Sequence, residues 1–251
     1  MNRKISALAI TYNEEDNIEK YIAQLSFADE IIIVDSFSTD NTVELAKKHN
    51  VTLIQRTFDD FSSQKNFAID QATHDWITFF DLDEEIPTAL ADEIVATVNS
   101  ENPFKVYHVK RDFHFMGKRM KYSGFQTDIS VRLFHKKYGR YNGKPVHETI
   151  ETTEKIGKLK HAVKHQTYKN FDNYNQKLSH YSRLQAEALY KKNVRPNAYH
   201  FFFRPWYRFV HQYFLRLGIL DGKEGFILCY VHAFSVFKRY LQLWTMYRKI
   251  D

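Results

Sequence analysis

Apolar and polar positions alternate along this chain in short, regular blocks. "ISALAIT" (5–11) is a near-continuous apolar run and predicts a buried strand. In "EDNIEKYIAQLS", Ile18, Tyr21, Ile22 and Leu25 fall on one face at helical spacing. "EIIIVD" (30–35) predicts the next strand, "STDNTVELAKKHN" a helix with polar caps and a basic end, and "VTLIQR" a third strand. "SSQKNFAIDQA", "DWITFFD" and "PTALADEIVATVN" continue the series as helix, strand and helix, with Pro87 at a helix start where its missing N–H is harmless. This order predicts an α/β fold with a mostly parallel sheet flanked by helices. "KVYHVKRDFHFMG", "ISVRLFHKK" and "HAVKHQT" predict later strands at a mixed edge, and from Phe171 the pattern becomes helical.

Composition adds a division to that picture. Residues 1–154 hold 18 Lys/Arg against 25 Asp/Glu, whereas residues 155–251 hold 18 against 5, and 16 of the 40 aromatics fall in residues 195–251. An acidic body (1–165) and a basic, aromatic, helical tail (166–251) are expected, the tail suited to an anionic membrane surface, a partner protein or nucleic acid. No recognised nucleic-acid module is present, so nucleic acid is not expected as a partner. The basic start "MNRKISALAITYNEE" runs into Glu14, Glu15 and Asp16 without a cleavage site, so no signal peptide is expected; nor is any apolar run long enough for a transmembrane helix. The single Cys229 excludes a disulfide framework and fits a reducing cytoplasm.

Ligands of open α/β sheets bind beyond the carboxyl ends of the strands. Three polar clusters fall there: "TYNEED" (11–16), "DSFSTDNT" (35–42) and "DLDEE" (81–85). None is a glycine-rich phosphate loop, since the first 116 residues contain no glycine. Asp81 and Asp83, if extended, point to the same side and can share one hard divalent ion, Mg²⁺ or Mn²⁺, with substrate phosphates. The plainer reading is a solvated acidic turn, with Glu84 and Glu85 serving a helix dipole. Asp35 can accept a uracil imide N–H or fix a ribose hydroxyl, or simply close an Asx-turn. Asn13 can cap the first helix, and Lys65 and Arg56, taken singly, read as surface charge.

Taken in order, "ALAITYNEEDNIEKYI", "EIIIVDSFSTDNTVELAKK", "SSQKNFAID" and "WITFFDLDEEI" resemble the nucleotide-sugar motifs of the family 2 glycosyltransferases on a GT-A fold. "RDFHFMGKRMKYSGFQTDISVRLFHKKYGRYNGKPVHETI" and the segment from Arg204 to Trp244 resemble a branch of peripheral membrane enzymes that add a hexose to the lipopolysaccharide inner core. The resemblance implies an inverting, metal-dependent transfer from a nucleotide-diphosphate sugar, UDP-linked, to a lipid-anchored saccharide, on the inner face of the cytoplasmic membrane. Thr11, Tyr12, Asn13, Glu14, Asp35, Ser36, Lys65, Asp81 and Leu82 would line the donor pocket. Asp81 and Asp83, with His147, would hold the metal. The family's Glu-Asp pair is absent, Phe125 and Gln126 standing in its place, which leaves Asp128 and then Glu148 as candidates for the base. A non-catalytic nucleotide-sugar-binding scaffold is the alternative.

Overall fold

The computed structural model describes residues 3–144, 148–165 and 171–250. These form two compact units, one built from the chain up to Arg111 with Ile129–His165, the other from Asp112–Asp128 with the helical remainder. The sequence reading drew a single boundary after residue 165; the excursion at 112–128 instead joins the helices. Its apolar residues explain this, because Phe113, Phe115 and Met120 are buried in one cluster with Tyr174 and Leu228.

In the first unit, β1 (Ile5–Thr11), β2 (Glu30–Asp35), β3 (Thr52–Gln55) and β4 (Trp76–Phe79) pair in parallel, in the order β3-β2-β1-β4. β8 (Ile129–His135) runs antiparallel to β4, and β6 (Val106–Phe115) and β11 (Ile156–His165) extend the sheet beyond it. Alternate residues of β1 enter different cores, Ala7 and Ala9 on one face and Leu8 on the other, so the sheet is covered on both sides. Helices α1 (Ile18–Gln24), α2 (Thr42–Ala46), α3 (Phe61–Gln71) and α4 (Thr88–Asn99) connect the strands. The Asp60 side chain caps α3 by accepting from the Ser63 amide at 2.8 Å, and from α1 the Tyr21 hydroxyl donates to the Phe80 carbonyl at 2.9 Å. The chain follows the GT-A arrangement: a mixed, mostly parallel sheet with flanking helices and a helical carboxyl-terminal region.

One local expectation fails. Glu84 and Glu85 do not form a solvated turn ahead of α4; they form the short strand β5 (Glu84–Glu85), antiparallel to β11, with Glu84 opposite His165 and Glu85 opposite Lys164. Lys20 and Lys164 each approach the Glu85 carboxylate to 3.1 Å, which offsets the charge that a bare acidic strand would carry.

The second unit contains the hairpin partner β7 (Lys118–Arg119) and three helical stretches: α5 (Phe171–Lys191), α6 (Arg204–Val210) and α7 (Gly222–Arg248). Wider π-helical turns, Tyr199–Phe203 and His211–Leu215, extend α6 at both ends. They rotate the helical register, and Gln212 is buried. Its amide nitrogen donates to the Ser123 carbonyl at 3.2 Å, and its oxygen lies 3.0 Å from Nδ1 of His232. An amide oxygen only accepts, so Nδ1 of His232 carries the proton and Nε2 accepts from the Tyr174 hydroxyl at 2.5 Å. Asp221 closes the same unit by accepting from the backbone amides of Lys121 and Tyr122, both at 3.0 Å.

Burial pushes the His232 imidazole down to about 3. In the unfolded chain it takes a proton near pH ~6.5. The unfolded state therefore binds the extra proton, and this contribution is complete above about pH 6.5 and lost progressively as pH falls toward 3. Urea denaturation of wild type is expected to weaken by roughly 1.4 kcal/mol per pH unit through that window from this group alone. In His232→Gln the slope should shrink by that amount; an unchanged slope would contradict the assignment.

Candidate active site

The carboxyl ends of β1, β2 and β4 meet at one edge of the first unit's sheet. Thr11 sits opposite Asp35 in register, and the Ser36 amide donates to the Thr11 carbonyl at 2.9 Å. Asn13 does not cap α1, whose N-cap position is Asn17. Asn13 adopts φ 54°, a left-handed conformation asparagine tolerates, and its side-chain oxygen accepts from the Thr39 amide at 2.8 Å while its own amide donates to Ser38 Oγ. The loops after β1 and β2 are thereby tied together. Glu14 accepts from the Asn17 side chain at 2.6 Å, and Tyr12 stays more than half exposed, its ring free to stack on a planar base. The Asp35 carboxylate is fully buried and accepts from the Ser38 amide (3.0 Å), Ser38 Oγ (2.5 Å) and Gln55 Nε2 (3.2 Å). Ser36 Oγ accepts from Gln64 at 3.1 Å, and Thr11 Oγ1 is buried with no hydrogen-bond partner among the described residues.

Two of the four carboxylates crowded into 81–85, Asp81 and Glu84, are bridged by a buried arginine. Arg132, near the start of β8, is carried to the end of β4 by the antiparallel pairing of those strands, and its Nη2 donates to Asp81 at 2.5 Å and to Glu84 at 2.6 Å. Lys65 of α3 adds a second cation, 2.7 Å from Glu148 and 3.5 Å from Asp81. Burial opposes ionisation of Asp81, yet Arg132 and Lys65 outweigh it and hold the carboxyl well below its usual range. For Glu84 burial dominates, and its carboxyl is pushed up despite Arg132. The Tyr141 hydroxyl, buried beside this group with no hydrogen-bond partner among the described residues, is pushed up to about 12 by burial against the pull of Lys65 and Arg132. Arg132, Glu84, Tyr141 and His165 were not picked out from the sequence as site residues. Only Glu84 left a trace there, as a member of the acidic cluster 81–85.

Asp81 and Asp83 do not share one side of an extended strand. The backbone turns at Leu82, which is buried, and the Glu84 amide donates back to the Asp81 carbonyl at 3.0 Å. Asp81 consequently faces Arg132 and Lys65, whereas an Asp83 oxygen lies 3.3 Å from Nε2 of His165. Among the described residues no three His, Cys, Asp or Glu side chains are gathered as a metal cage. A hard ion of the Mg²⁺ class does not require one, because it commonly takes one or two protein ligands and completes its shell with water and substrate phosphates. Asp83, 29% exposed at its side chain and paired with an imidazole, fits that role. His147 lies outside the described residues.

The two proposed bases fall in different units. Glu148 belongs to the first, with Oε1 held by Lys65; Asp128 follows the turn Phe125–Thr127 of the second, its amide donating to the Phe125 carbonyl at 3.2 Å.

The family model for glycosyl transferase family 2 matches residues 6–165. This chain belongs to that family. As a glycosyltransferase it is similar over nearly its whole length to one from Rickettsia prowazekii, with 27% identity covering 96% of this chain and 87% of the relative. It is also similar to the lipopolysaccharide core biosynthesis glycosyltransferase LpsC of Rhizobium meliloti, with 25% identity covering 94% of this chain and 93% of LpsC. The fold of this glycosyltransferase matches the crystal structure of S. aureus TarS 1–349 in complex with UDP-GlcNAc at a TM-score of 0.50, with 16% identity over 99% of this chain and 92% of TarS.

Proposed function

We propose that this glycosyltransferase moves a hexose from a UDP-linked donor to a lipid-carried saccharide of the lipopolysaccharide-core kind, inverting the anomeric centre. The observation that carries the reading is the convergence of the β1, β2 and β4 ends on a glycine-free edge where cations and carboxylates are interleaved. The UDP donor is supported by the sugar nucleotide bound in TarS, and the acceptor class by the similarity to LpsC. Tyr12 and Asp35, with Thr11, Asn13, Glu14 and Ser36 around them, would receive the nucleoside, and Lys65 would stand against the diphosphate.

Asp83 with His165 would hold Mg²⁺ or Mn²⁺, which when bound offsets charge on the departing diphosphate. The acceptor hydroxyl attacks the anomeric carbon, the bond from that carbon to the β-phosphate oxygen breaks, and the hydroxyl proton passes to a carboxylate base. By the resemblance, Asp128 would be that base. Glu148 is assigned to positioning Lys65, since its Oε1 is already engaged there.

A panel of UDP- and GDP-sugars with deacylated core oligosaccharide tests the proposal. One UDP-hexose is expected to be consumed, with inversion at the new linkage by NMR, and to raise the apparent unfolding free energy by about 2.7 kcal/mol at 100 times its Kd. Preference for GDP-sugars, or a product of retained configuration, would refute it.

A further inference from the structure

A cleft of about 420 Å³ opens at the edge of the first unit's sheet opposite the candidate active site. Four neighbouring strands meet there by their ends. β1 and β4 begin at Ile5 and Trp76, which pair in register. β8 runs antiparallel to β4 and ends at His135, opposite Trp76, and β6 starts just after Lys105. Arg3 and Lys4 precede β1, and His74 and Asp75 precede β4, so that all four line one hollow with Lys105 and His135. The seven residues of β1 lie between this hollow and Thr11, about 20 Å of extended chain, which separates the cleft from the donor edge.

The charge of the cleft runs against that of its surroundings. Residues 1–154 hold 18 Lys/Arg against 25 Asp/Glu, yet the lining brings three Lys/Arg and two histidines against the single carboxylate of Asp75. Asp75 is 66% exposed at its side chain and only 3.7 Å from Lys136 and 3.9 Å from His135, so it neutralises little. The Glu30 carboxylate of β2 is taken up by Ser6 and Thr73. Nη1 of Arg3 donates to the carbonyls of Val98 and Ser100 at 2.6 and 2.8 Å, which fixes the guanidinium without cancelling its charge. Among the described residues Arg3, Lys4 and Lys105 form no ion pair with a carboxylate. Burial, with Lys105, Lys136 and Lys137, holds the His135 imidazole below its ordinary value against the pull of Asp75.

Like charges gathered in a hollow repel until an anion enters, and the concavity concentrates their field on it. Guanidinium, ammonium and imidazole groups together suit the oxygens of a phosphate. The volume exceeds that of a bare phosphate and lies in the range of small-molecule pockets, and a hollow of this kind favours a small anion over an acidic protein surface. We propose that this cleft binds a small phosphomonoester, the size of a phosphorylated monosaccharide, with its phosphate among Arg3, Lys4, Lys105 and His135. The proposal concerns the edge of the sheet away from the donor and does not rest on the donor chemistry above.

Glucose 1-phosphate and inorganic phosphate, titrated separately into the full chain without divalent metal or sugar nucleotide, are the probes. Both are expected to give saturable heats, the sugar phosphate with a Kd at or below about 1 mM. Sodium chloride at matched ionic strength should give none. By NMR the His135 imidazole of the wild-type protein should titrate about one pH unit higher when saturated with glucose 1-phosphate, because an anion beside it favours its charged form. A Lys4→Gln/Lys105→Gln variant should bind the sugar phosphate at least about tenfold more weakly while melting and transferring sugar as wild type does. The His135 titration needs neither lysine replaced, so it decides the matter should that variant fail to fold. No saturable binding of glucose 1-phosphate, equal binding by a folded double variant, or a His135 titration unmoved by the probe would each overturn the proposal.

Discussion

Asp83→Asn is expected to lower kcat by about 10³-fold, roughly 4 kcal/mol of activation free energy, with little change in thermal stability. The asparagine keeps the shape of the side chain and removes its charge. Asp83 is partly exposed and apart from the buried ion-pair group, so the fold loses little. What disappears is a ligand able to draw a divalent ion to the departing diphosphate. The measurement is a pair: initial rates at saturating donor, and Mn²⁺ affinity in the presence of UDP by calorimetry, both of which should fall. His165→Ala should weaken Mn²⁺ affinity in the same direction. A variant with wild-type rate and wild-type Mn²⁺ affinity would remove Asp83 from the mechanism.

Arg132→Met should destabilise the protein by about 3–5 kcal/mol at pH 7, because it leaves the buried Glu84 carboxylate without its cation and Asp81 with Lys65 alone. The arginine is 3% exposed and the Glu84 side chain is fully buried, so water cannot take its place cheaply. The sign of the pH dependence is diagnostic. In the variant, burial and repulsion from Asp81 raise the folded-state pKa of Glu84 above the unfolded value, so the folded state binds the extra proton and the deficit should shrink as pH falls toward the carboxyl range. Adding Glu84→Gln to Arg132→Met should recover part of the loss at pH 7. Urea denaturation of the three proteins at pH 7 and 5 checks this, and a loss below about 1 kcal/mol for Arg132→Met would show that the pairing matters little.

The two expectations concern the same acidic stretch and separate its members. Under the proposed function Asp83 would serve ligand chemistry, whereas Asp81 and Glu84 are held by an internal cation. A divalent ion is therefore not needed to keep the carboxylates of the free protein together, and can arrive with the diphosphate.

Local pattern determined the elements of the first unit. "ISALAIT" and "EIIIVD" form β1 and β2 with the expected bounds, because a run of apolar residues buried on both faces needs no distant information to be a strand. The same reasoning placed Thr11, Asp35 and Asp81 at the carboxyl ends of the parallel strands, where they stand. The family was legible too, in the order of its motifs. Tertiary structure alone decided which charges meet. Arg132 reaches Asp81 across 51 residues, and Lys65 reaches Glu148 across 83, through strand and helix placements that no spacing in the chain encodes. It also decided the fate of the aromatic tail. Helical periodicity shows that α7 has apolar stripes, but only packing tells which stripe is spent on the core and which is left exposed. Side-chain pattern specifies local backbone geometry, whereas burial and ion pairing are properties of the assembled neighbours.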